Sequence, residues 1–127
     1  MRTDVQQLRK GANIALRLED FGVACLKIAV ALPRGHAYRN VAQQLARAGT
    51  AAGANYEEAR SAESRADFIH KCMLAAKEVR ESSYWLRLAR GAAAIPAAIA
   101  DPVIHEAIEL SAILNASVRT ARHNSPH

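Results

Sequence analysis

Asn55, Glu58, Glu78 and Glu81 place amide and carboxylate groups at helical spacings within otherwise apolar-periodic sequence. Asn55 continues the stripe Val41, Leu45, Ala48, Ala52, and Glu58 follows at i+3 on the same side. A buried asparagine and carboxylate cost on the order of several kcal/mol unless they are paired. Partners are therefore expected in Arg47, two turns earlier, or in Lys77, Glu78 and Glu81 on the next helix. Two chemistries fit this set: a hydrogen-bond network that fixes helix register, or a ligand or catalytic site.

Carboxylates on neighbouring helices also invite a di-iron reading, which needs Glu from two helices and Glu-x-x-His from two others. Here Glu78-x-x-Glu81 lies on one helix, and His70 is preceded at i−3 by Asp67. His105-Glu106-Ala107-Ile108-Glu109 resembles the zinc-peptidase H-E-x-x-H, with Glu where the second histidine would stand. Both patterns are incomplete, so neither a metal nor any other cofactor is expected. A Gly-rich phosphate loop and a G-x-S-x-G elbow are absent, and the Ser82-Ser83 pair has no histidine nearby in sequence. The only tryptophan lies in Tyr84-Trp85-Leu86. Adjacent bulky aromatics on a helix cannot all face one core, so one of them is expected at a surface, at a subunit interface or stacked on an RNA base.

The elements that carry these residues follow from the hydrophobic period. Ile14, Leu18, Phe21, Cys25, Ile28 and Leu32 alternate steps of four and three, the seam of a packed helix, which Pro33 and Gly35 end. Phe68, Cys72, Ala75, Val79, Ser82, Leu86 and Ala89 form a third stripe. Val103, Ala107, Leu110 and Leu114, with Val118 close by, form a fourth. Ser64 and Asp67 have capping-box spacing ahead of Phe68, and Asp101-Pro102 offers a cap and an N1 proline for the last helix. The expectation is a single domain over residues 1–127 with helices near 13–32, 38–59, 65–92 and 102–121. Short connections make this an all-α, antiparallel up-and-down four-helix bundle. The small residues from Ala48 to Ala54 exceed what one core face needs, so the second helix is also expected to pack against neighbouring subunits.

Composition agrees with a helical chain, since 28 of 127 residues are alanine against four prolines and six glycines. Cys25 and Cys72 stand far apart in apolar sequence and read as buried free thiols. The amino-terminal stretch lacks the apolar run of a secretion signal, and no segment reaches the ~18 apolar residues of a membrane span. A cytoplasmic protein without a membrane partner is expected. Net charge is +5 and the pI is about 9.7, which favours anionic partners. Thirteen of the 17 basic residues are arginine, the better side chain for bidentate phosphate contact, although they are scattered.

Four stretches carry a family resemblance: Gln44-Leu45-x-Arg47-Ala48, Ala54-Asn55-Tyr56-x-Glu58-Ala59, Ser64-Arg65-Ala66-Asp67-Phe68-Ile69-His70-Lys71, and Lys77-Glu78-x-x-Glu81-x-x-Tyr84-Trp85-Leu86. In order and spacing they resemble the four-helix-bundle proteins encoded in intervening sequences of bacterial 23S ribosomal RNA genes, relatives of the accessory protein of diversity-generating retroelements. The resemblance runs from about Leu18 to Val118. It implies a homo-oligomeric ring, a pentamer by analogy with the relatives, and no enzymatic activity. It also makes Arg47, Asn55, Glu58, Glu78 and Glu81 the signature polar set. The functional expectation is a non-enzymatic oligomeric scaffold that contacts RNA or a ribonucleoprotein through Arg47, Arg60, Arg65, Arg87 and Arg90. The alternative is a protein-interaction scaffold whose basic charge is incidental.

Overall fold

The computed structural model describes residues 4–124. Among these the chain forms four α-helices and no strand: α1 Asp4–Ala31, α2 His36–Arg60, α3 Arg65–Gly91 and α4 Ala97–His123. Successive helices run antiparallel, as the contacts between them show. Cys25 and Leu18 of α1 meet Gly49 and Gly53 of α2. Arg47 and Glu58 of α2 pair with Glu78 and Lys71 of α3, and Met73 and Arg90 of α3 approach Arg122 and Asp101 of α4. In each pair, rising numbers on one helix meet falling numbers on the next. Helix α1 touches α2 and α4, and α3 touches the same two, so α1 and α3 sit diagonally across the bundle.

In α1 and α3 the core is the one the period dictates, whereas at the start of α4 the buried positions are Ala100 and Ile104 and the expected Val103 is half-buried. Ile14, Leu18, Phe21, Cys25, Ile28 and Leu32 are buried, as are Cys72, Ala75, Val79, Ser82, Leu86 and Ala89. Helix α2 departs from expectation after Ala52. Its seam steps to Tyr56 and Ala59, both buried, and leaves Asn55 half-buried on the flank. Tyr56 buries far more apolar area than an asparagine could, so the stripe follows the aromatic ring. Ser82, the one buried polar residue among those described, is satisfied because its hydroxyl donates to the Glu78 carbonyl at 2.8 Å.

The helix ends differ from the sequence reading in two places. Helix α1 begins at Asp4 rather than near residue 13. Its first turns contribute no core residue, and the exposed Val5 and Leu8 leave no mark in a core period. Helix α4 begins at Ala97 behind Pro96, and Pro102 lies inside it. The alanine-rich run from Ala97 to Ala100 is strongly helix-forming, and the Asp101 carboxylate accepts from Arg90 at 2.8 Å instead of capping. Pro102 forgoes the backbone bond it would otherwise make to the Ala98 carbonyl.

The connections are local and specific. The Ser64 hydroxyl accepts from the Asp67 amide at 3.0 Å, which forms the serine half of the expected capping box. Gly35 enters α2 at φ 134°, a backbone region that L side chains rarely adopt. At the end of α3, Ala94 and Ala93 donate to the carbonyls of Ala89 and Arg90, with Ala93 at φ 57°. This is a Schellman ending with alanine in the left-handed position that glycine usually fills.

Candidate functional site

Three of the five signature residues converge between α2 and α3. Arg47 leaves α2 beside the buried Ala48, and its guanidinium spans to Glu78 and Glu81, one turn apart on the facing flank of α3. Nη1 of Arg47 donates to both oxygens of Glu78, at 3.2 and 3.3 Å, and Nη2 donates to Oε2 of Glu81. Nε donates to Oε1 of Gln44 at 3.0 Å, within α2. The indole Nε1 of Trp85 donates to the same Oε2 of Glu81 at 3.0 Å. Each nitrogen of the guanidinium thus has an acceptor, and the two carboxylates share one cation.

The electrostatics follow from this geometry. The Trp85 indole, together with Arg47, holds the Glu81 carboxyl below the usual carboxylate range against the opposing effect of burial. The hydrogen bond to Glu81 raises the already high pKa of Arg47. Carboxylates neutralised in this way are poor general bases and poor metal ligands, and the arrangement works as a clamp that fixes the register of α2 against α3. Trp85 and Gln44 were not read from sequence as members of this network. Their signal was there in the i, i+4 spacing of Glu81 and Trp85 and the i, i+3 spacing of Gln44 and Arg47.

Asn55 and Glu58 lie outside the clamp. The Asn55 amide donates to the Ala51 carbonyl of its own helix at 3.0 Å, so it needs none of the partners expected for it on α3. Glu58 is exposed and accepts from Lys71 at 2.7 Å. A second cluster, not read from sequence, joins α1 to α4. Arg17 Nη2 donates to Oε1 of Glu106 at 2.6 Å and to Oε1 of Glu109 at 3.1 Å, and its Nε donates to Oε2 of Glu106 at 3.0 Å. Both acids of the HEAIE stretch therefore turn to an arginine. Among the described residues no three His, Cys, Asp or Glu side chains are grouped to hold a metal ion.

The five arginines expected to contact RNA are spread along the bundle and do not cluster. Arg60 and Arg65 flank the α2–α3 turn, while Arg87 and Arg90 are about 33 and about 38 Å further along α3 at the opposite end. Arg60 pairs with Glu57 at 3.3 Å, Arg90 pairs with Asp101, and Arg47 belongs to the clamp. Arg87 lies over the Tyr84 ring, 5.9 Å from its centroid. Cys25 and Cys72 are both buried free thiols, and burial pushes them up to about 12 and about 11. No described helix is long and apolar enough to cross a membrane.

No curated protein matches the chain. Among solved structures, it is similar to a protein of unknown function from the S23 ribosomal protein family of Bacteroides thetaiotaomicron VPI-5482. The two share 30% identity at a TM-score of 0.77 over 83% of this chain and 97% of that one. The family model described as 23S rRNA-intervening sequence protein matches residues 13–116, which take in all of α2 and α3 with their clamp and most of α1 and α4. The chain therefore belongs to the 23S rRNA-intervening sequence protein family.

Proposed function

We propose that the protein is a non-enzymatic scaffold that assembles with copies of itself through the outer face of α1, and that the assembled form contacts RNA or a ribonucleoprotein. One observation carries the assembly: Val5, Leu8, Leu16, Val23, Leu26 and Val30 are all exposed, from 43% to 86%. At 100° per residue these six side chains fall within about 80° of arc, on the side of α1 away from the core. An apolar stripe that runs the length of a helix marks an interaction surface.

The occupant is best supplied by a second copy. Beside the ridge runs a shallow groove between α1 and α2 whose floor is Gly22, Gly49 and Gly53, with Val23 and Leu26 along its edge. One face thus offers both the bulky ridge and the small-residue furrow that receives it, the self-complementarity a homo-oligomer requires. Ring closure with five copies is the arrangement that the resemblance implies. The RNA contact rests on the family's description and the net charge of +5.

Sedimentation velocity on wild type and on Leu16→Glu/Val23→Glu tests the assembly. The proposal expects a species well above 13.7 kDa for wild type and a helical monomer for the variant. Identical monomer sedimentation for both would overturn it. Wild type that is monomeric alone but shifts on mixing with another protein would favour the protein-interaction scaffold.

A further inference from the structure

The outer face of α3 lies diagonally across the bundle from that of α1 and has a different chemistry. Lys77, Arg80, Tyr84 and Arg87 follow one another at steps of three, four and three, which confines them to about 80° of arc. That arc faces away from Cys72, Val79 and Leu86 in the core. All four side chains are exposed, Tyr84 by 47%, and Lys77, Arg80 and Arg87 make no ion pair among the described residues. The acidic residues of this stretch, Glu78 and Glu81, are turned to the α2 flank and held by Arg47. On the α4 side, Arg122 reaches across to Met73 at 3.4 Å and adds a further cation at the start of the row. Tyr84 lies in the middle, in a T-shaped contact with Trp85 at 5.1 Å between ring centroids and with the Arg87 guanidinium over one face of its ring, which leaves the other face for a base.

We propose that this row is a binding face for unpaired RNA, with Tyr84 stacking on a base and Lys77, Arg80, Arg87 and Arg122 taking the phosphates on either side. The inference rests on the RNA-contact reading and gives it a location that the five scattered arginines do not provide. A cationic strip interrupted by a fixed aromatic ring is the arrangement that binds single strands, because every base offers a face to stack and every linkage a charge. Lys77 and Arg87 are about 15 Å apart along the helix, so the row reaches more than one phosphate. Because α1 is on the opposite side, self-assembly leaves the row open and repeats it once per subunit.

The test is fluorescence anisotropy on the full-length protein as purified, with labelled oligouridine and a labelled RNA duplex at two salt concentrations. Wild type is expected to prefer oligouridine. Tyr84→Ala should weaken it roughly tenfold while Tyr84→Phe, which keeps the ring, binds as wild type. Lys77→Gln/Arg80→Gln/Arg87→Gln should weaken binding further and lower the salt slope by about 2. Arg34→Gln/Arg39→Gln, at the α1–α2 turn, should change neither. If wild type binds RNA and the α3 variants bind equally well, this location is overturned while the RNA-contact reading stands. If wild type binds polyglutamate but no RNA at low salt, both are overturned.

Discussion

Arg47 of α2 and Trp85 of α3 donate hydrogen bonds to the same atom, Oε2 of Glu81. This shared oxygen keeps the Glu81 carboxyl below its ordinary range, through the indole first and the guanidinium second. A group whose pKa is lower folded than unfolded stabilises the protein above the unfolded value and loses that contribution as pH falls through the folded one. Urea melts of wild type and Glu81→Gln should therefore differ most near neutral pH, with wild type the more stable. The gap should close in acid, below the folded pKa of Glu81. A gap independent of pH would mean that the carboxylate charge plays no part in the clamp.

At Gly49, α2 packs so closely on α1 that there is no room for a side chain. A Cβ there would stand 2.5 Å from Cys25 Cβ and 2.8 Å from its Sγ. Gly49→Ala should cost about 1–3 kcal/mol, the usual range for overpacking a core, in thermal or urea unfolding. Adding Cys25→Ala should not rescue it, because alanine keeps the Cβ that makes the shorter contact. Cys25→Gly should recover part of the loss. Rescue by Cys25→Ala would place the close approach elsewhere.

Ala93 occupies the left-handed position that closes α3, at φ 57°. An L side chain in that region costs about 1–2 kcal/mol, partly offset by the greater entropy glycine loses on folding. Ala93→Gly should therefore raise stability by roughly 0.5 kcal/mol, a small upward shift in Tm. A drop in Tm would show that the loop does not depend on this conformation.

The core of α1 and α3, and of α4 from Ala107 onward, follows from the sequence because each helix buries one stripe at a regular step; at the start of α4 the stripe passes through Ala100 and Ile104 and leaves Val103 half-buried. The same logic misplaced Asn55, since Ala52 can be followed at either i+3 or i+4, and only the packed ring of Tyr56 decides between them. The first turns of α1 were missed because they bury nothing within the chain. Pro102 reads as a helix start because proline favours N1, yet the alanine-rich run before it extends α4 by five residues, from Ala97 to Asp101. At the candidate site, Arg47, Glu78 and Glu81 were legible as a set. Asn55 and Glu58 were grouped with them by spacing along one helix, whereas pairing is decided across helices, where Lys71 is the residue that faces Glu58. The Arg17 cluster joins residues 89 and 92 positions apart, beyond the reach of any local pattern.

The apolar face of α1 makes a further prediction about exchange. In the assembled protein, amides along the outer side of Leu16 to Val30 should be protected from hydrogen exchange. In Leu16→Glu/Val23→Glu they should exchange faster, while the Cys72 to Leu86 stretch of α3 keeps its protection. Equal exchange along α1 in both proteins would mean that nothing covers this face.

Self-assembly is the central claim, and the mass of the untagged wild-type protein in solution tests it most directly. Native mass spectrometry or light scattering across a range of concentrations should return a whole-number multiple of 13.7 kDa that persists on dilution. A mass of 13.7 kDa at every concentration would contradict the account, and would mean that the exposed stripe of α1 awaits some other partner.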